Sequence, residues 1–253
     1  MIRVFLVIQA VLIVSLSPAQ NITIDTILHR HFQAVGGLEQ WQQIKTCYAE
    51  QSYWMIPVYM PPHKQFLGDQ LPKNQKSYYQ YPDQYRIAIY REGEPSTATI
   101  VTQGETKFYS YRAKQETILP DPKYTKAVQE ETFSSIVLGT IPLLLSAYQD
   151  SAIAYQGVMK AYDRSCHKLV IAHGLPKGGR AFVYLDTETH LVHAFVYANH
   201  TDLYKIYDEY REVDGLLIPH HIDYYQEDEL VGEYTIDKIE INRPIDPVAF
   251  TVW

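Results

Sequence analysis

Very short links join the last strand-like runs of this chain, and that constrains the fold more than any other feature. Residues 180–185, 191–197, 202–213, 216–225 and 230–242 are rich in tyrosine and β-branched side chains. They are separated by Asp186-Thr187-Glu188-Thr189, Asn199-His200, Asp214-Gly215 and Glu227-Asp228. A link of two to four residues can close a hairpin. It cannot carry the crossover of about a dozen residues that a parallel neighbour needs. The runs therefore pair in order as antiparallel strands, and 153–161 and 167–173 extend the series upstream.

The first half repeats the theme. Residues 46–56, 77–81, 84–91, 97–102 and 106–111 read as strands. Tyr85, Ile87 and Ile89 alternate with Arg86, Ala88 and Tyr90, and Gln103-Gly104-Glu105 is a hairpin link. Two regions break the pattern. Ile24, Ile27, Leu28, His31, Phe32 and Val35 fall at helical spacing, capped by Thr23 or Asp25 and stopped by Gly36-Gly37. A short second helix follows, with Leu38, Trp41 and Ile44 on one face. Residues 123–148 carry Phe133, Val137, Ile141 and Leu144 at helical spacing, with Gly139 and Pro142 as breakers. Regular alternation of strand and helix is absent, which argues against a parallel α/β fold. The expected fold is mostly β, about a dozen antiparallel strands with packed helices. Residues 57–74 are proline-rich and read as a long loop, placed to act as a lid.

Residues 1–19 read as a cleavable export signal: Arg3, an apolar run over 4–16, then Ser17-Pro18-Ala19 as small residues at a cleavage site. The run is too short to span a bilayer, and no later stretch is long enough. The expected mature chain, 20–253, is a single domain, periplasmic or secreted, with no membrane span. The formal net charge of −7 becomes one unit more negative when Arg3 is removed. Without a basic tract, nucleic acid is excluded as a partner on charge grounds. Export permits a disulfide between Cys47 and Cys166, and two buried thiols are equally compatible with their strand-like settings.

Catalytic and cofactor patterns are missing. No serine lies in a G-x-S-x-G elbow, and neither glycine pair has a phosphate-loop context. The ten histidines follow no ligand spacing. Adjacent His220 and His221 point to opposite faces of a strand and cannot share an ion. The expectation is no enzyme, no cofactor and no metal site.

The order of three segments resembles a known group. These are Phe182-Val183-Tyr184-Leu185-Asp186-Thr187-Glu188-Thr189, then Tyr207 through Pro219 with Tyr210-Arg211-Glu212-Val213-Asp214-Gly215 inside it, then Ile239 through Phe250 with Asn242 and Ile245-Asp246. With the opening Ala34-Val35-Gly36-Gly37, Trp41 and Ile44-Lys45-Thr46, this resembles the outer-membrane lipoprotein-sorting, LolA/LolB-like family. The resemblance implies an incomplete antiparallel β-barrel wrapped around helices, enclosing an apolar cavity for acyl chains. Arg86 and Arg91 are the candidates for the arginine through which such carriers are thought to hold a closed state.

The functional expectation follows from that resemblance. It is a soluble periplasmic protein that binds a lipid or lipoprotein acyl chain, with an envelope protein delivering or receiving it. Trp54, Ile87, Ile89, Phe133, Val137, Ile141 and Leu144 are the expected lining. One alternative is a structural or sensor module of the envelope whose cavity its own side chains fill. A hydrolase without a recognisable motif is the other.

Overall fold

A computed structural model describes residues 22–55, 72–81, 84–102, 105–119, 138–172, 179–198 and 202–251. The export signal, most of the proline-rich stretch, and Phe133 and Val137 lie outside the described residues.

Among the described residues, thirteen strands form one antiparallel sheet. They are β1 (Thr46–Met55), β2 (Lys73–Gln80), β3 (Gln84–Arg91), β4 (Glu94–Thr102), β5 (Glu105–Ser110), β6 (Gln115–Leu119), β7 (Ile153–Ala161), β8 (Arg164–Ile171), β9 (Ala181–Asp186), β10 (Val192–Tyr197), β11 (Leu203–Val213), β12 (Leu216–Gln226) and β13 (Glu229–Ile241). Their spatial order is β6-β5-β4-β3-β2-β1-β13-β12-β11-β10-β9-β8-β7. Every neighbour but one is consecutive in sequence, and most of the links are so short that they can only fold a strand back on the last. The exception is β1 with β13, a ten-residue strand on a thirteen-residue one, which fuses two meanders into one surface. The sheet remains open between β6 and β7.

The turns obey backbone sterics. Asp214-Gly215 and Glu227-Asp228 both have positive φ at each residue, the type I′ geometry whose twist matches the flanking strands. Register slips in β1–β13 at Glu50/Gln51 and in β12–β13 at Tyr224/Tyr225. Such bulges bend and coil a sheet, giving it a concave face.

Three α-helices are described, and they lie on that face: α1 (Ile24–Ala34), α2 (Leu38–Gln42) and α3 (Ile141–Gln149). In α1, Ile27, Leu28, His31 and Phe32 form the buried stripe, and the Thr23 hydroxyl accepts a bond from the Thr26 amide. Gly36 and Gly37 end the helix at φ 107° and 103°, and the Gly37 amide donates to the Phe32 carbonyl at 2.7 Å. A side chain at Gly36 would lie 2.2 Å from the Gly215 carbonyl oxygen, so only glycine lets the helix end meet the β11–β12 turn. The Leu217 amide donates to Val35 there, and the Trp41 indole donates to the same carbonyl at 2.9 Å.

The break expected at Gly139 and Pro142 is the start of α3. Thr140 caps it in the left-handed region, and Pro142 sits in the first turn. Gly139 lies against Pro219 of β12, and the Thr140 hydroxyl shares a buried 2.6 Å hydrogen bond with Tyr207 of β11. Phe32 and Tyr148 bring α1 and α3 into ring contact at 6.1 Å.

Two expectations shift, and one left open is decided. Lys73 and Asn74 belong to β2 rather than to the long loop, and β2 starts before residue 77. Residues 115–119 form an extra edge strand. Its Gln-Glu-Thr start lacks the apolar alternation by which a strand is recognised. Both cysteines are free and buried, Cys47 on β1 and Cys166 on β8. Five strands lie between β1 and β8 in the sheet, so no bridge forms between them.

Candidate functional site

The concave face can be followed row by row across the wing β1–β5, because antiparallel partners share a face. One row runs Cys47, Tyr79, Tyr85, Val101, Thr106. The next runs Ala49, Ser77, Ile87, Thr99, Phe108, and the third Gln51, Gln75, Ile89, Thr97, Ser110. Beyond them Tyr53 lies opposite Lys73. The face grades from apolar at the Cys47 end to polar and cationic at the Tyr53 end.

The other wing is filled. Leu28 of α1, Ile141 and Leu144 of α3, Leu169, Val183, Ile218 and Ile222 form one core with no exposed surface. Burying each such side chain is worth roughly 1.5–3 kcal/mol. Ile141 and Leu144 are thus part of the plug between helix and sheet. On the β2–β5 wing, Ile87 and Ile89 are only half-buried, and Phe108, in the row of Ile87 but beyond Thr99, is 38% exposed. This leaves an apolar strip on the concave side.

Polar groups flank the strip. The Gln75 side-chain amide donates to Gln51 at 2.8 Å and to Ser77 at 3.1 Å, forming a buried network. Tyr53 and Tyr234 stack with centroids 4.5 Å apart, and Tyr224 adjoins Tyr234 at 5.3 Å. Burial pushes the Tyr53 and Tyr234 phenols above their usual range, so both stay neutral. Two buried lysines meet these rings. The Lys205 ammonium lies 5.4 Å from Phe195, 5.5 Å from Tyr197 and 5.1 Å from Tyr224, and that of Lys73 lies 5.9 Å from Tyr53. Aromatic faces attract such cations electrostatically.

Trp54 lies on the opposite, convex face, one residue out of phase with Tyr53. Its indole donates to Glu233 at 3.1 Å. Strand alternation makes that outcome readable once β1 is phased by Cys47, Ala49 and Tyr53, and aromatic character alone does not provide the phase. Arg86 is also on the convex face. Its guanidinium donates to the Ala249 carbonyl at 2.7 Å and to the Tyr111 phenol at 3.0 Å, bracing the 3₁₀ turn Pro247–Phe250. A cleft of about 360 Å³ opens beside that turn, lined by Tyr48, Tyr78, Arg243 and Val248 among others. Arg91 is on the concave side, next to the row of Tyr53.

Phe108, Lys73, Lys205 and the Tyr53–Tyr234 stack were not anticipated from sequence. Phe108 follows from the Gln103-Gly104-Glu105 hairpin, which sets it opposite Thr99. Lys205 is hidden by its charge, since its aromatic neighbours on the two flanking strands are not visible in the sequence.

One convex cluster also escapes sequence spacing. His221, Asp223 and Glu233 present ligand-type atoms that all lie within 4.8 Å of one another. His220 points the other way, into the sheet, bonded to the Ile218 carbonyl.

No family model matches the chain, and no curated protein matches it. Solved structures do. A DUF1329 family protein from Desulfovibrio piger superposes with a TM-score of 0.57 at 11% identity, covering 87% of this chain and 95% of that one. A LolA superfamily protein from Nitrosomonas europaea gives 0.57 at 9% identity, covering 91% and 98%. An outer membrane lipoprotein-sorting protein domain from Vibrio parahaemolyticus gives 0.53 at 9% identity, covering 88% and 94%. The open thirteen-stranded sheet wrapped on its helices is therefore a LolA-like fold, shared along nearly the whole length of those proteins.

Proposed function

We propose that this chain is an exported, non-catalytic carrier that shelters an acyl chain, of a lipid or a lipoprotein, against the concave face of its sheet. The observation that carries this reading is the partly exposed strip of Ile87, Ile89 and Phe108 on the concave face, beside a wing that the helices fill. The LolA-like fold and the lipoprotein-sorting description of one similar structure support it. Phe133 and Val137 remain proposed lining, whereas Ile141 and Leu144 belong to the filled core of the other wing. Trp54, on the convex face, is left out.

The mechanism is passive. Each buried methylene contributes about 0.8 kcal/mol, so a long chain held along its full length would bind too tightly to pass on. A strip only part-apolar, bordered by Gln51, Gln75 and Ser77, tempers that affinity. A delivering or receiving envelope protein would then shift the balance.

The test is uptake of a fluorescent fatty acid, together with mass spectrometry of lipid extracted from protein purified out of its native envelope. Wild type should take up the probe. Ile89→Glu should lose at least tenfold in affinity, while Trp54→Ala should retain it. Absence of both uptake and extracted lipid would refute the carrier reading.

The filled core over β8–β12 favours a second reading, a structural or sensor module of the envelope whose cavity stays occupied by its own side chains. It predicts the refuting result just described, with the fold intact.

A further inference from the structure

We propose that His221, Asp223 and Glu233 form a binding site for a divalent first-row transition metal on the convex face of the β12–β13 hairpin. His221 and Asp223, two residues apart in β12, share a face, and the turn at Glu227-Asp228 sets Glu233 directly opposite Asp223. His221 Nε2 lies 3.0 Å from Asp223 Oδ1, and its Nδ1 lies 3.8 Å from Glu233 Oε1. An imidazole ligates an ion through one nitrogen only, and the three ligand atoms, one per residue, lie within 4.8 Å of one another, against the separation of about 3.0–3.4 Å that an ion about 2.1 Å from each would need. Rotation of one imidazole and one carboxylate closes the remaining gap.

The surroundings hold the ligands in place. The Trp54 indole, from β1, donates to Glu233 Oε2, and the Tyr225 phenol donates to Asp223 Oδ2 at 3.4 Å. Each carboxylate is thus held by its far oxygen and turns its near oxygen towards His221. Outer partners that orient ligating carboxylates in this way are a regular part of metal sites.

Charge points the same way. Among the described residues, no lysine or arginine pairs with Asp223 or Glu233. A protonated imidazole between two carboxylates leaves one negative charge, whereas a neutral imidazole with a divalent ion brings the set to zero. One imidazole and two carboxylates suit Zn²⁺, Co²⁺ or Mn²⁺, with the remaining positions open to water. The site lies on the face opposite the proposed acyl strip, so either reading can fail alone.

The experiment is calorimetric titration of the metal-free full chain with ZnCl₂, repeated with CoCl₂ while recording visible absorption. One equivalent should bind, with Co²⁺ giving a d–d band. His221→Gln and Glu233→Gln should each weaken binding at least tenfold, and Trp54→Phe about tenfold through lost orientation. Circular dichroism confirms that each variant is folded, and either of the first two suffices if the other is not. No binding by wild type, or an equivalent that survives His221→Gln and Glu233→Gln, would overturn the proposal.

Discussion

Acid should unfold this protein partly through one histidine. His31 lies inside α1 with no exposed surface, and its Nδ1–H donates to the His190 carbonyl at 2.8 Å. Burial lowers its pKa from 6.5 to about 4, an effect that the bond to His190 only partly offsets. Below 6.5 the unfolded chain takes up a proton that the folded chain refuses until about pH 4. Stability is therefore fully present above 6.5 and lost as pH falls through that window. From these two values, His31 alone removes about 2 kcal/mol between pH 7 and pH 5. His167, His193 and His220 are also lowered chiefly by burial and act with the same sign. The assay is urea unfolding at both pH values for wild type and His31→Leu, since the difference of differences cancels the other three. The variant loses the bond to His190, a pH-independent cost of about 1 kcal/mol. It should then lose about 2 kcal/mol less than wild type on acidification. An equal loss in both proteins would refute the assignment of a buried, neutral His31.

Other consequences can be checked individually. Gly139→Ala should destabilise by more than 2 kcal/mol in urea unfolding, because its Cβ would lie 2.3 Å from Pro219 Cγ at a φ of 59°. Thr140→Val removes the bond to Tyr207 and leaves a buried phenol unpaired, costing about 1–3 kcal/mol by the same measurement. Burial pushes the Cys47 and Cys166 thiols up to about 12, so a thiol reagent at pH 8 should label both only in denaturant. Rapid labelling of either in the native protein would contradict its placement. Arg86→Met should free the C-terminal segment, seen as faster amide exchange over residues 247–251.

The fold was largely legible because its constraints are local. Two-residue turns force antiparallel neighbours, Thr23 and Gly36-Gly37 bound α1, and tyrosine-rich runs with period two define strands. The junction of β1 with β13 was not legible from links of this kind, since those strands are joined through the rest of the chain. β6 was missed because an edge strand needs no apolar face.

The candidate site divides in the same way. The shared face of Ile87 and Ile89 was legible because alternation in β3 sets them apart from Arg86 and Ala88. The phase of Trp54 was not, since both neighbours of an aromatic strand residue are compatible with either face until the helices choose one. The metal cluster was illegible for a related reason: a His-x-Asp pair becomes a candidate only when hairpin register delivers Glu233 opposite Asp223. By itself the sequence determined the antiparallel pairing of consecutive strands, turn geometry and the ends of α1, all set by interactions within a few residues. Only the tertiary structure decided which face is covered, that five strands separate the two thiols, and which charges meet, because those depend on pairings between distant segments that local propensity does not encode.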